Sequence, residues 1–442
     1  MKIEELRVRR FKSLYNTATT LQNFSVLTGP NGSGKSNFTA VIDFLGEAYR
    51  FGLDYAVGRA GGIDAIAYRR TRRTTVPISL GLTFRVDANE LEATLGSRKI
   101  SEYLDEDRKS LWFDHDFEIK PSRDLESANF QVSKESVRLY GGIGKPRDLL
   151  LNFESAGSSS STSRESTLEF DSDKLFGSAS LSDIYKKRLN AEDVRAEIAE
   201  SSDPTNLFFN RPAFSVPPFR ELRMLLNRLN VYRLNAAACR NPGVLTPTAS
   251  LSKDGGNLPG VVARLRRRRN TSGTWDRILS SMVEIFPDLQ DIDTTESAST
   301  GINLRFHEEG VGRPWSALEV SDGTIQYLAM LCVLFDRSGP ALVLEEPENT
   351  LHSWLLRLLL QKCREDESRQ VLLTTHSPVA LKAVSPDEVL LASKRNGRTS
   401  VRPLAEIDPD SKRIYEESGI DVFEQYDSGY LPETIPGSGV QW

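Results

Sequence analysis

The sequence predicts an α/β fold built on a largely parallel sheet, and three observations lead to this prediction. From about residue 320 the chain alternates between helical periodicity and short apolar runs, the pattern of strands joined by helical crossovers. Near the N-terminus, a Gly-rich segment separates an apolar run from an amphipathic stretch. The composition, with 39% hydrophobic and 26% charged residues in 442, is that of a globular protein with a sizeable core.

Two strands and a helix are predicted in the first 50 residues. Leu6 and Val8 alternate with arginines, and the apolar run over 24–29 stops at a Gly-Pro break. Apolar residues then recur with the spacing of one helix face, at Phe38, Val41, Ile42, Leu45 and Tyr49. Another strand is predicted over 77–86. The Gly-rich segment therefore connects a strand to a helix.

The C-terminal part predicts a regular succession of helices and strands. In chain order these are a helix over 322–335, the strand ALVLEE, a helix over 350–363, the strand QVLLTT, a helix over 378–384 and the strand EVLLAS. Asn396 and Gly397 supply the two-residue turn of a closing hairpin. Helices of this length between strands predict parallel pairing.

We expect three parts in the chain: an N-terminal lobe over 1–95, an insertion over 96–220 and a C-terminal lobe over 221–442. The pattern of the insertion breaks into polar strands and short helices, which predicts an irregular α+β region. Its low-complexity run over 155–166 is rich in serine and cannot bury enough apolar surface to fold alone. We expect a mobile loop there.

The charge balance limits the classes of partner. With 56 Lys and Arg against 61 Asp and Glu, the net charge is −5, which excludes a uniformly basic nucleic-acid coat. Two local basic runs, from Arg69 to Arg73 and from Arg264 to Arg269, could contact DNA phosphates. Solvated helix faces or a site for an acidic protein are the alternative. The runs contain no interleaved aromatic residues, so they do not predict stacking on single strands.

The compartment follows from cysteine usage and hydropathy. The three cysteines form no C-x-x-C pair, which argues against a disulfide framework or a zinc ribbon. No apolar run approaches the ~18 to 20 residues of a membrane span. We expect a cytoplasmic protein without membrane association.

The segment GPNGSGKS fits the phosphate-binding pattern G-x-x-x-x-G-K-S in its required strand-to-helix context. Its glycines let backbone N–H groups face phosphates at a helix N-terminus. Lys35 can reach the β- and γ-phosphates, and the Ser36 hydroxyl can hold Mg²⁺. The pattern predicts ATP and Mg²⁺ as cofactors, with these binding residues: Gly29, Pro30, Asn31, Gly32, Ser33, Gly34, Lys35, Ser36 and Asn37.

Three further candidate residues follow predicted strands. Glu345 and Glu346 end the strand ALVLEE, at the edge where open α/β sheets bind ligands. We predict that Glu345 orders the Mg²⁺ shell and that Glu346 polarises the attacking water as general base. His376 follows the next strand and could hydrogen-bond the γ-phosphate. Acids that merely begin a helix, and a structural histidine, are the alternatives.

Four motifs in one order, GPNGSGKS, VSDGTIQYLAML, ALVLEEPENTLH and TTHSP, resemble the ABC-type ATPases of the RecF and SMC-like branch, close to stand-alone bacterial ATPases related to the OLD family. The resemblance implies an ABC ATPase head. It also implies that Ser321, Asp322 and Gly323 form the signature that contacts the γ-phosphate held by a partner subunit, and hence an ATP-sandwich homodimer. By the same resemblance, residues 348–352 link the two sites, and Lys12 lies near the nucleotide.

The chain departs from this family pattern in three places. The signature reads SDGT instead of SGGQ, and Asn235 stands where the glutamine of a Q-loop is expected. OLD-family enzymes carry a nuclease domain after the ATPase, whereas only residues 377–442 follow His376. That length is too short for another catalytic domain of about 100 residues, so we expect no built-in nuclease.

Two functions are compatible with these features. The first is a Mg²⁺-dependent ATPase that dimerises around ATP and works as a switch, in bacterial antiviral defence or DNA repair, with a separately encoded nuclease or effector. The second is an ATP-bound scaffold that sequesters a partner without productive hydrolysis. The insertion and the SDGT signature disfavour a third class, the nucleotide-binding subunit of a membrane transporter.

Overall fold

The computed structural model describes residues 2–69, 76–87, 109–122, 129–146, 148–157, 164–175, 183, 205–211, 219–246, 250–269, 273–297, 301–336, 339, 341–349, 351–366 and 369–428. The strands are β1 Lys2–Phe11, β2 Leu14–Thr20, β3 Phe24–Thr28, β4 Ile78–Asp87, β5 Ser110–Pro121, β6 Phe130–Gly142, β7 Asp148–Gly157, β8 Arg164–Phe170, β9 Asn230–Tyr232, β10 Leu289–Ser297, β11 Gly301–Glu308, β12 Trp315–Ser316, β13 Ala341–Glu345, β14 Gln370–Thr374, β15 Val389–Arg395 and β16 Arg398–Pro403. The helices are α1 Lys35–Phe51, α2 Leu53–Arg59, α3 Ile63–Ile66, α4 Ser172–Leu175, α5 Phe219–Leu226, α6 Ala236–Cys239, α7 Leu258–Arg267, α8 Thr274–Val283, α9 Asp322–Phe335, α10 Ser353–Glu365, α11 Pro378–Lys382, α12 Leu404–Ile407, α13 Ser411–Ser418 and α14 Val422–Asp427.

Thirteen of the described strands form one mixed sheet, in the order β8-β7-β6-β5-β4-β1-β2-β16-β15-β3-β14-β13-β9. The neighbours from β15 to β9 pair in parallel, and β1, β2 and β4–β8 pair antiparallel. Strands β10–β12 form a separate small sheet. The predicted α/β class, with a mixed sheet flanked by helices, is confirmed.

The parallel strands are covered on both faces, which explains their continuous apolar sequences. Val343 faces a core that contains α1 and the antiparallel strands, whereas Leu342 and Leu344 face a second core that contains α9 and α10. Helices α1 and α10 bury apolar side chains in these two cores. The strands that carry the candidate residues are therefore held from two sides.

The described part of region 96–220 differs from the expected irregular α+β insertion. Strands β5–β8 form a regular antiparallel meander that continues the main sheet beyond β4. The alternation was masked because polar residues occupy inward positions: His115 and Glu135 are buried and form a 3.0 Å contact with each other. Of the Ser-rich run, residues 155–157 end β7 and 164–166 belong to β8, and the predicted loop tip lies outside the described residues.

The C-terminal elements follow the predicted order. Asn396 and Gly397 both have positive φ, 50° and 73°, as the two-residue turn between β15 and β16 requires. The helix predicted from residue 350 begins at Ser353, because His352 caps it by accepting a hydrogen bond from Trp354 N. Within the described residues, no helix is long and apolar enough to cross a membrane.

Gly46 provides a test of the packing between α1 and the segment before β9. A Cβ at Gly46 would lie 2.4 Å from the carbonyl oxygen of Leu229. We expect Gly46→Ala to lower the free energy of unfolding by about 1–3 kcal/mol, although alanine is the better helix former by about 1 kcal/mol. Denaturant unfolding measures the change.

The matched control is Gly58→Ala in α2, where an added Cβ has nothing within 4 Å. This variant should gain about 0.5–1 kcal/mol. Equal changes in the two variants would contradict the close approach of α1 to Leu229.

Candidate functional site

Residues 29–34 form the loop between β3 and α1, and Lys35 is the first residue of the helix. The loop passes so close to the β15–β16 hairpin that only glycine fits at two positions. A Cβ at Gly29 would lie 2.1 Å from Ala392 O, and one at Gly34, whose φ is 107°, would lie 2.3 Å from Thr399 Oγ1. The sequence therefore folds into the predicted strand–loop–helix.

The side chains of the loop divide between structural contacts and exposed groups. Lys35 Nζ donates to the carbonyl oxygens of Gly29 at 2.8 Å and Pro30 at 3.2 Å. Ser33 Oγ is buried and has no hydrogen-bond partner within the described residues. Asn31, Gly32 and Ser36 are exposed. The loop thus presents its outer surface to solvent while Lys35 lies against its inner side.

Two residues that were not predicted hold the loop in place. Thr399 Oγ1 donates to Ser33 O at 2.7 Å and lies 2.7 Å from Ser13 Oγ. Asn37, a predicted binding residue, donates from Nδ2 to the same Ser13 hydroxyl at 2.7 Å. The phosphate loop is thereby connected to β16 and to the turn between β1 and β2.

Strand register brings the acidic residues to the same sheet edge as the loop. Glu345 pairs with Thr374, and Thr374 pairs with Leu27, just before the loop. Because these strands are parallel, the residues that follow them leave the sheet on one side. Glu346 and His376 are therefore neighbours of the loop, as predicted.

Glu346, His376 and Lys35 interact electrostatically. His376 Nε2 lies 3.8 Å from Glu346 Oε1. Burial lowers the pKa of Lys35 to about 8, against the attraction of Glu346 and Glu348. Burial, and then the charge of Lys35, also lower the pKa of His376. The three residues predicted to be catalytic thus lie within one another's electrostatic field.

The backbone at Glu346 is strained. Its φ is 46°, in the left-handed region that costs a non-glycine residue on the order of 1–3 kcal/mol. Glu346 N donates to Thr374 O at 3.0 Å, and Asn349 Nδ2 donates to Glu346 Oε2 at 3.1 Å. These bonds fix the carboxylate where the strand ends, and a strained residue held this way indicates a functional constraint.

Glu348 positions the segment that carries His376. Its Oε1 accepts hydrogen bonds from Thr375 Oγ1 and from His376 N, both at 2.7 Å. The sequence placed Glu348 only in the linking loop. Nothing in its spacing distinguished it from a solvent-exposed acid, so this role became visible only in three dimensions.

Glu345 is engaged on both carboxylate oxygens. Arg233, the residue after β9, forms a bidentate ion pair with it, and Thr39 Oγ1 contacts its Oε1. The hydrogen bond to Glu345 raises the pKa of Arg233. Lys12 also lies near Arg233, because burial and then the charge of Arg233 lower the pKa of Lys12. The φ of Lys12 is 49°. Arg233 and Thr39 were missed by sequence reasoning.

Asn235, which stands where the glutamine of a Q-loop is expected, does not contact the candidate site among the described hydrogen bonds. The Asn235 side chain accepts a hydrogen bond from Ala238 N and caps α6, because asparagine satisfies an N-terminal helix donor well. Asn235 is therefore a structural cap, and Arg233, two residues earlier, is the residue of this segment that contacts the site.

The signature segment begins α9 at the protein surface. Ser321 Oγ accepts from Thr324 N at 3.1 Å, and Asp322 forms a 2.6 Å ion pair with Arg240. Arg240 also donates to Ala317 O and Val320 O. Ser321 and Asp322 are exposed and Gly323 is half-buried. None of the hydrogen bonds or ion pairs of the described residues connects this segment to Lys35 or Glu346.

The second of the two basic runs is less available to DNA phosphates than the sequence alone predicts. In the second run, four arginines pair with carboxylates of the chain: Arg264 with Asp336, Arg266 with Asp291, Arg267 with Glu296 and Arg269 with Asp276. This pairing reduces the positive field offered to DNA. Of the first run only Arg69 is described, and residues 70–73 lie outside the described residues.

The residues present fit a Mg²⁺-bound triphosphate. Within the described chain no three His, Cys, Asp or Glu side chains gather to hold a metal alone, whereas Mg²⁺ in phosphate-transfer sites uses one or two protein oxygens plus the phosphates. The Ser36 hydroxyl and the Glu345 carboxylate would be the oxygen ligands of the metal. Thr39 Oγ1 links the two segments, because it contacts Glu345 and lies 3.3 Å from the carbonyl oxygen of Ser36. The buried, unpartnered Ser33 hydroxyl belongs to the same cradle.

Three solved structures that resemble this chain are SMC heads. One, bound to the C-winged helix domain of ScpA, is 14% identical with a TM-score of 0.48 and covers 91% of this chain and 97% of that one. The SMC head domain of Thermotoga maritima is 13% identical, with a TM-score of 0.38 and coverages of 91% and 99%. An Smc head with an extended coiled coil, bound to the C-terminal domain of ScpA and derived from Pyrococcus furiosus, is 13% identical, with a TM-score of 0.42 and coverages of 90% and 95%.

Similarities this distant establish neither an activity nor a partner, and no curated protein matches the chain significantly. A family model matches well over half of the chain, over residues 24–382, and the matched range includes the phosphate loop, both strand-end glutamates and His376. The chain therefore belongs to the family described as AAA domain, putative AbiEii toxin, Type IV TA system.

Proposed function

We propose that the protein is a Mg²⁺-dependent ATPase of the ABC type that closes as a homodimer around ATP and acts as a molecular switch. The observation that carries the proposal is the meeting of Lys35, Glu346 and His376 at one sheet edge beside the phosphate loop. A chance Gly-rich turn has no reason to lie beside a strained glutamate and a histidine.

Each residue has a role that follows from its contacts. Lys35 exchanges its two bonds to loop carbonyls for phosphate oxygens, and the negative phosphates stabilise its charged form. Glu346, held by Asn349, accepts the proton of the attacking water. His376, positioned by Glu348, donates a hydrogen bond to the γ-phosphate. Mg²⁺, when bound, neutralises charge that develops on the phosphate oxygens.

Arg233 regulates the metal ligand in this proposal. Its guanidinium satisfies the carboxylate of Glu345, which is nearly buried, and an unpaired buried charge is costly. Glu345 would hold the metal through an oxygen that accepts from Arg233, so Arg233 and the metal would compete for the same carboxylate. The segment thereby takes the place of a Q-loop without a glutamine.

The dimer follows from the exposed signature. Ser321 and the N-terminal N–H groups of α9 form an anion-binding helix start, which lacks described contacts to the site of its own subunit. In a dimer, this helix start would contact the γ-phosphate of the ATP bound by the second subunit. Closure and opening of this pair would convert hydrolysis into a signal.

We propose that the signal acts on a separately encoded nuclease or effector, in bacterial antiviral defence or DNA repair. The family description names a toxin–antitoxin system, which is a two-component arrangement and supports a separate partner. The alternative is an ATP-bound scaffold that sequesters its partner without hydrolysis. The strained Glu346 favours the hydrolytic reading, because a scaffold gains nothing from a costly backbone at that residue.

Hydrolysis is tested by two substitutions. We expect Lys35→Ala to abolish Mg²⁺-dependent phosphate release, and Glu346→Gln to lower kcat by about 10²–10⁴ while ATP binding persists. Lys412→Ala, which alters an exposed ion pair with Asp387, is the control and should be unchanged. Undiminished turnover in Lys35→Ala would refute the catalytic assignment. Effector control that survives Glu346→Gln would support the scaffold.

The Arg233 proposal predicts a change in metal affinity. Because Arg233 competes with the metal for Glu345, Arg233→Gln should lower the dissociation constant of Mn²⁺ in the presence of ADP by about fivefold, the equivalent of about 1 kcal/mol. Mn²⁺ titration by electron paramagnetic resonance measures it.

Arg267→Gln, which removes an exposed arginine paired with Glu296, is the control and should leave the Mn²⁺ affinity unchanged. Weaker metal binding in Arg233→Gln would show that Arg233 supports the metal site and would overturn the competition.

Dimer closure is tested in the Glu346→Gln background, where ATP is retained. We expect Ser321→Arg to prevent the ATP-induced dimer, because a long side chain would fill the surface that meets the partner. Ser321→Ala, which removes the helix cap at a cost of about 1 kcal/mol without adding bulk, should still dimerise. Light scattering that detects the same dimer in Ser321→Arg would refute this geometry.

A further inference from the structure

A cavity lies where β2, Tyr68 and the β15–β16 hairpin meet. Its volume is about 740 Å³, within the range of pockets that bind small organic molecules. None of the predicted nucleotide-binding or catalytic residues lines it. It is therefore a different site from the sheet edge that carries Lys35 and Glu346.

Aromatic and guanidinium planes form one wall of this cavity. The rings of Tyr15 and Tyr68 meet edge to face, with centroids 5.3 Å apart. The Arg398 guanidinium lies 4.0 Å from the centroid of the Tyr15 ring. An arginine layered on a tyrosine is the combination that stacks nucleic-acid bases, since each base has a polarisable face.

The charge around the cavity has one sign. Arg395, Arg398 and Arg402 line it, and no carboxylate does among its described lining residues. Tyr68 is also directly followed in the chain by the basic run that begins at Arg69, and Arg69 is exposed. Arg69 therefore adds an exposed cation next to a residue that lines the cavity.

We propose that this cavity binds single-stranded nucleic acid, with a base against Tyr15 and Tyr68 and the flanking phosphates on the three arginines. A base needs a flat aromatic partner and its backbone needs cations, and both occur here within one pocket. An acidic peptide would use the arginines but not the faces of the tyrosine rings.

The cavity is physically connected to the phosphate loop. Thr399 lines the cavity and donates a hydrogen bond to Ser33 O at 2.7 Å. Arg398 precedes Thr399 on β16, so a ligand that binds Arg398 contacts the strand that supports the loop. Occupation of the cavity should therefore change nucleotide affinity or turnover, although binding of the strand itself does not depend on the ATPase assignment.

The test is fluorescence anisotropy with a fluorescein-labelled oligothymidylate, measured without nucleotide on the full chain. We expect Tyr15→Ala and Arg398→Ala each to weaken binding by about tenfold, the equivalent of about 1.4 kcal/mol, which is within the range of one stacked base. Arg398→Ala should also reduce the dependence of log affinity on log salt by about 0.7, the value for one phosphate contact. Arg267→Ala is the matched arginine control and should bind as the wild type does.

Three outcomes would overturn the proposal: absence of oligothymidylate binding to the wild type, equal affinity for duplex DNA, or equal losses in Arg267→Ala and Arg398→Ala. A fourth would reassign the cavity to a free nucleotide, namely a loss of fluorescent-ATP affinity in Tyr15→Ala with unchanged oligothymidylate affinity. Tyr15→Phe and Arg398→Lys retain the ring and the charge. If these two conservative variants bind the oligonucleotide again and the alanine variants unfold at the wild-type temperature, the loss in the alanine variants is a loss of binding and not of folding.

Discussion

Parallel pairing of β3, β14 and β13 determines where every chemical group of the site emerges. The register that sets Glu345 beside Thr374 and Thr374 beside Leu27 aligns three strand ends on one edge. From that edge the chain continues into the phosphate loop, into the strained Glu346 and into the segment of His376. A shift of one residue would turn the side chains of a strand to the opposite face. The two cores that cover the sheet hold this register, so packing remote from the nucleotide site determines its geometry.

The sequence was sufficient for the parallel part of the fold, because buried parallel strands are continuous apolar runs and their crossover helices have clear periodicity. The Asn396-Gly397 turn was equally readable, since few residue pairs adopt positive φ at both positions. The meander β5–β8 was not predicted as such. Its inward face includes His115 and Glu135, which are tolerated in the core because they contact each other, Tyr49 OH and Phe208 N. Local alternation cannot reveal a polar pair whose partners are distant in sequence.

Site residues that lie in one continuous motif could be predicted from the sequence. Site residues that distant segments bring together could not. The spacing of residues 29–36 and the two adjacent glutamates pointed to the phosphate loop and the strand end. Arg233 gave no signal, because an arginine after a short strand is ordinary until its bidentate contact with Glu345 is seen. The same holds for the cavity at Tyr15 and Arg398, which combines β2, Tyr68 and β16. The relation to OLD-family ATPases and the roles of the individual residues remain predictions.

The central claim is that the phosphate loop and the end of β13 share one magnesium-bound nucleotide. The most direct measurement is Mn²⁺ affinity in the presence of ADP for Ser36→Ala and Glu345→Gln, which lie on the two sides of the proposed metal site. The account predicts that each variant weakens metal binding by about tenfold or more, with unchanged thermal unfolding in the absence of metal. Wild-type metal affinity in Glu345→Gln, together with a clear loss in Ser36→Ala, would contradict it, because the strand end would then have no part in holding the ion.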